Sequence, residues 1–115
     1  MNREHAIAHI CHEANRAFQI EFPTEGIPVS PLWEDLYDHT RESIHIGVLG
    51  VLAGNTPQES HELWLETKRE AGWTLGPKKD LEAKTHPLIK PYSELDPTDR
   101  LKDDLFVAII RALGA

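Results

Sequence analysis

The chain has 115 residues and sets 12 Lys and Arg against 19 Asp and Glu, a formal charge of −7. That length suits one domain, or one small domain with an extension, and can bury a modest core without staples. Hydrophobic residues at 40% and charged residues at 27% argue against wholesale disorder, and the acidic balance argues against nonspecific binding of nucleic acid or anionic membrane. Cys11 is the single cysteine, which excludes an internal disulfide and suits a reducing compartment. Arg3, Glu4, Glu13 and Arg16 break any leader-like apolar stretch. The most lipid-like run, residues 46–53, is eight residues long, far short of the roughly 20 a span requires. The expectation is a soluble cytoplasmic protein.

A helix is predicted from about Arg3 to Phe22, with Ile7, Ile10, Cys11, Ala14, Ala17 and Phe18 on one face. Pro23 and Gly26 end it, residues 27–31 read as an extended connection, and Trp33 to Leu36 as a short helical turn. A second helix, roughly Asp38 to Ala53, should bury Ile44, Val48, Val51 and Leu52. Gly47, Gly50 and Gly54 in and after it suggest close approach of another backbone. Thr56-Pro57 with Glu59 is a capping box followed by proline, a strong start for a third helix running to about Ala71. Leu63, Trp64, Thr67 and Ala71 form its narrow apolar stripe. Residues 73–95 show neither helical nor strand period and read as a long ordered loop with room for a short strand pair. Asp96-Pro97 opens a last helix, expected to bury Leu101, Leu105, Ala108, Ile109, Ala112 and Leu113 before Gly114. The fold class is mainly α, a small domain of about four helices with that loop between the last two. Long irregular connections in small domains are usually functional, so the loop is the place to look.

No catalytic set emerges. His12-Glu13 and His61-Glu62 both lack the second histidine one turn on that a zinc-protease helix needs. His5, His9 and His12 fall at i, i+4 and i+7, but no further cysteine or clustered carboxylate completes a site, and a polar helix face accounts for them. Cys11 lies on the apolar stripe, where a packed thiol is expected. Residues 72–78 lack the span of a phosphate-binding loop. The expectations are therefore no enzyme, no metal and no cofactor. One grouping does stand out. Trp64 and Lys68 lie one turn apart, Trp73 follows the helix end, and Lys78, Lys79 and Lys84 line the loop. Aromatic faces beside lysines suit a planar anion such as a nucleotide, by stacking plus charge. Composition alone favours the plainer alternative, two core-anchoring tryptophans with a solvated rim of lysines.

Ser60-His-Glu-Leu-Trp64, Lys68, Gly72-Trp-Thr-Leu-Gly76, Lys79-Asp80, His86-Pro87, Pro91-Tyr92, Leu95 and Ala112-Leu-Gly114 together resemble the ryanodine-receptor (RyR) repeat domain. The resemblance covers about residues 57 to 114 in family order and spacing. It divides the chain into a helical extension, 1–55, and a repeat domain, 56–115. The extension, with His12-Glu13-Ala-Asn-Arg-Ala17 and the Trp33 segment, looks like that of small phage and prophage proteins, which would place the chain in host cytoplasm. Where the family usually has His-Pro-Cys-Leu, this chain has His86-Pro-Leu-Ile89, and Leu75 replaces a common loop aromatic.

The resemblance implies two main helices with an ordered loop, and a cleft that holds adenine nucleotides or related molecules between tandem repeats. Carried over by position, it implicates Trp64 in stacking and Lys68 beside it. For small phage members it implies sensing or sequestering of nucleotide signals in antiphage defence. The leading expectation is a non-enzymatic ligand-binding protein. Trp64 and Trp73 would stack, Lys68 and Lys78 would meet phosphates, and His61 and Tyr92 would hydrogen-bond. For Trp73, which stands between two glycines, and for His61 and Tyr92, anchoring the loop is an equally open role. A single repeat lacks its tandem partner, and a homodimer could complete the cleft. The alternative is a protein-interaction module using the acidic faces of the first and third helices, the latter carrying Glu59, Glu62, Glu66 and Glu70.

Overall fold

The helix starts written into the sequence fix the architecture. A computed structural model describes residues 2–114. Helix α1 spans Arg3–Glu21, α2 Asp38–Leu52, α3 Pro57–Glu70 and α4 Pro97–Gly114. Asn2 caps α1 by accepting from His5 N, and Thr56 and Glu59 close a reciprocal capping box on α3. Short 3-10 turns occupy Trp33–Asp35 and Tyr92–Glu94. Between α3 and α4, β1 (Thr74–Leu75) pairs in parallel with β2 (Thr85–His86), the strand pair for which the long loop left room. Among the described residues no helix is long and apolar enough to cross a membrane.

Two apolar clusters form. The larger joins Ile7, Ala8 and Cys11 of α1, Trp33 of the first 3-10 turn, Val48 and Val51 of α2, and Val107 and Ile110 of α4. Burial in that cluster pushes the Cys11 thiol pKa up to about 12. The smaller joins Leu65, Trp73 and Ile89, with half-buried Trp64 against them. Helix α4 packs on α1, α2 and α3 and supplies Val107 and Ile110 to the larger cluster.

That shared position corrects the predicted face of α4. Val107 and Ile110 are the apolar residues it buries, while Leu101 is 50% and Leu113 43% exposed. A helix covered from several sides carries apolar residues nearly all round, so period alone cannot choose the innermost ones. On α3, Leu65 and His61 are buried, whereas Thr67 and Ala71 of the expected stripe are exposed. On α1, Ile10 lies exposed and His12 and Gln19 are buried instead. Leu52 of α2 is also exposed.

The expected backbone approach at the α2 glycines is not what the fold uses. A Cβ at Gly47 would meet the Phe106 ring, one at Gly50 would meet the Asn55 and Leu63 side chains, and one at Gly54 would meet nothing. Side chains nest there, and Gly54 serves a left-handed turn at φ +117.

The buried polar groups of α1 have a clear use. His12 Nε2 donates to the Pro31 carbonyl at 2.7 Å, and Arg16 Nε donates to the Ser30 carbonyl at 2.9 Å. Glu13 accepts from Trp33 N at 3.0 Å, and Gln19 exchanges bonds with Ser30. The polar face thus holds the backbone of an irregular connection that has no secondary structure to satisfy it. Further along, Thr24 donates to Asp99 Oδ1 and accepts from Lys102 Nζ, tying the connection to α4. Gly26, at φ +83, accepts from Lys79 N at 2.7 Å. A Cβ there would lie 2.1 Å from the Pro77 carbonyl oxygen, so only glycine fits. The amino-terminal half therefore lies directly against the long loop.

Candidate functional site

Helix α3 and the loop after it bring together most of the residues singled out by sequence. His61 is buried, and its Nε2 donates to the Lys90 carbonyl at 2.8 Å while Nδ1 faces Asp103 Oδ2 at 3.7 Å. One turn on, Trp64 lies 5.4 Å from the His61 ring and meets His86 edge-on at 5.1 Å. Lys68, the next turn, sets its amine 4.8 Å above the Trp73 ring, a cation–π contact. Trp73 itself is buried. Tyr92 is half-buried, with its ring 6.2 Å from His61 and its N–H on Glu62 at 3.2 Å. His61 and Glu62 thus hold the second half of the loop to α3 through its backbone.

Lys78 is exposed and makes no ion pair among the described residues. Its neighbour Lys79 is the residue electrostatically joined to the site. Burial, and then the nearness of Lys79, lower the Lys68 pKa, and burial lowers that of Lys79. Neither amine has a carboxylate within ion-pair distance among the described residues. Lys84, the third lysine of the loop, instead caps α3 by donating to the Ala71 carbonyl at 2.8 Å.

His86 sits at the centre of these cations. Its Nδ1 accepts from Leu88 N at 3.0 Å, which fixes the proton of the neutral ring on Nε2. Burial first, then Lys79, Lys68 and Lys102, depress its pKa to about 4, so the ring is neutral at physiological pH. Asp103 behaves oppositely: burial, with Asp104 nearby, raises it to about 7. Three lysines thus gather around one histidine in a chain of net charge −7.

Beside Trp73 runs an open groove of about 580 Å³, lined by Arg69, Trp73, Leu75, Ile89, Lys90 and Glu94 among others. Trp73 is the one predicted residue that borders it. Arg69, Lys90 and Lys79 were not singled out for contact with a ligand. Lys79 alone carried a signal, standing in the loop next to Lys78, but adjacent positions in an irregular loop face different ways and no period selects between them.

These side chains, in this order, carry the sequence block of the earlier resemblance, and residues 49–113 match the family model described as RyR domain. The chain belongs to the RyR domain family. The match begins inside α2, so the family segment takes in the end of that helix, α3, the loop and α4. No curated protein and no solved structure gives a significant match. In this RyR domain, helices α3 and α4 with their loop hold every residue named above for the site.

Proposed function

We propose that this RyR domain is a non-enzymatic binder of a small planar anion, a nucleotide or nucleotide-derived signal. The observation that carries the reading is the pair Lys68 and Lys79, neither with a carboxylate in ion-pair distance among the described residues. Lys68 is half-buried over the Trp73 ring, and Lys79, on the exposed loop, is near enough to lower the Lys68 pKa. A half-buried cation such as Lys68 is costly without a partner, and an anion shared with Lys79 would complete it. In this reading Lys68 and Lys79 take the phosphate, with Lys78 at the rim. Trp64, half-buried, offers the stacking face, while buried Trp73 floors the site under Lys68. His61 and Tyr92 set the loop in place and border the site. A role in phage–host signalling rests on the resemblance of the extension alone.

A thermal-shift screen against ATP, ADP-ribose and linear and cyclic nucleotides tests this. A ligand at 100 times its Kd adds about 2.7 kcal/mol, a shift of several degrees in a domain of this size. The shift should vanish in Lys68→Met with Lys79→Met, whose fold is checked by circular dichroism, and persist in Lys84→Met. A flat response across the panel overturns the reading.

A second reading has its own observation. Ile46, Leu49 and Leu52 are 48%, 45% and 41% exposed at three-residue intervals along α2. We infer that this row meets a protein surface, and a second copy of the chain is the simplest partner. The acidic face of α3 suits that role less, since Glu59 closes the capping box and Glu62 holds Tyr92. Light scattering at high concentration tests it: a dimer lost in Leu49→Lys supports it, and a monomer throughout sinks self-association.

A further inference from the structure

The histidines at i, i+4 and i+7 on α1 do not act together. His9 stacks on Trp33 at 5.2 Å, and His12 bonds to the Pro31 carbonyl. His5 turns the other way, towards α2, and brings its ring to 4.3 Å from that of His45. Glu42, one turn before His45, joins them, and one ligating atom from each of the three lies within 4.8 Å of the other two. The spacing along one helix was uninformative because the second imidazole and the carboxylate come from a different helix.

One independent observation points to a missing partner. Among the described residues, His45 Nδ1 is the buried side-chain atom with no hydrogen-bond partner. Glu42 Oε1 lies 3.9 Å from it, too far for a hydrogen bond. Buried polar atoms are nearly always satisfied, and an orphan calls for an explanation. The His45 side chain is only 16% exposed, whereas that of Glu42 is 64% exposed and can swing inward.

We propose that His5, Glu42 and His45 form a binding site for a divalent late first-row cation, zinc being the best fit. Two imidazoles and one carboxylate are the donor set such an ion takes, with a fourth position left to water. Tetrahedral zinc spaces its ligand atoms roughly 3.3 Å apart, so the cluster closes by turning the Glu42 and His5 side chains. Binding would satisfy His45 Nδ1 and clip the first turn of α1 to α2. The site lies outside the family segment, which begins at residue 49, and is independent of the nucleotide reading.

The test uses the full chain without an affinity tag, titrated with zinc chloride against a colorimetric chelator. One equivalent should bind saturably. His45→Ala and His5→Ala should each weaken binding at least about 100-fold, since even groups that only orient a ligand cost ten- to a hundredfold. Glu42→Gln should fall between, and His39→Ala, on the exposed start of α2, should bind as wild type. Cobalt(II) gives a second readout that needs no variant: intense visible bands mark four-coordinate binding. Absence of saturable zinc binding, wild-type affinity in both histidine variants, or only the weak spectrum of six-coordinate cobalt would overturn the proposal.

Discussion

The two clusters of this domain are built on different principles. The larger draws on α1, α2 and α4 and consists almost wholly of aliphatic side chains around Trp33, with Ile110 and Val48 fully buried. The smaller has Leu65, Trp73 and Ile89 at its centre, and its walls are polar: His61, His86, Lys68 and Asp103. Apolar burial holds the first together and scales with area. Directed bonds from side chain to loop backbone hold the second, His61 to Lys90 and Glu62 to Tyr92. An aliphatic body on one side lets the other side keep charges partly out of water, which is what the proposed anion site requires. Apolar burial is concentrated in one region and titratable side chains in the other.

Substitutions rank by which region they strike. Ile110→Ala, at a fully buried position, should cost about 3 kcal/mol in denaturant unfolding and unfold the whole domain together. If only the loop loosened, the larger cluster would not be the foundation described. Gly26→Ala should cost about 2 kcal/mol, from left-handed backbone and the clash with the Pro77 carbonyl. Its effect should spread to amides of residues 77–80 in hydrogen exchange, because Gly26 supports that stretch. His61→Ala leaves the Lys90 carbonyl without its donor and should cost about 1.5 kcal/mol, with faster exchange concentrated in residues 88–95.

Asp103→Asn sharpens the contrast through pH. The folded pKa of Asp103 is raised to about 7 from 3.8, so its contribution is fully present below 3.8 and is lost as pH rises towards 7. His86 is depressed to about 4 from 6.5, so the unfolded chain takes up that proton first and stability falls as pH drops from 6.5 to 4. The two slopes oppose each other in the wild type. The variant should be more stable near about pH 8, on the order of 1 kcal/mol after solvent screening, and match wild type near about pH 4. Its stability should then fall steadily below pH 6.5, with the His86 slope unopposed. Thr56→Ala, far from both clusters' centres, should cost only about 1 kcal/mol, through lost capping of α3.

Helix starts were legible because they depend on neighbours in sequence: Thr56, Pro57 and Glu59, or Asp96 and Pro97, act within one turn. The buried face of α4 was not, because Val107 and Ile110 are chosen by three helices arriving from elsewhere in the chain. The polar burial of α1 was illegible for the same reason. Nothing local says that His12, Glu13, Arg16 and Gln19 will face the bare backbone of residues 30–33. In the candidate site, Trp64 and Lys68 were readable from their helical spacing on α3. Lys79 and Lys90, carried on irregular backbone, were not, since direction there is set by the strand pair and by Gly26 rather than by any period.

Cys11 has a practical consequence. Its thiol lies inside the aliphatic body, 4% exposed and with its ionisation pushed up to about 12. A thiol reacts with alkylating reagents only as its thiolate, so in the folded state this one is silent. Modification by a reagent such as iodoacetamide therefore counts openings of that body and ignores every movement of the loop. The natural sequence carries its own clock for global unfolding, with no probe added.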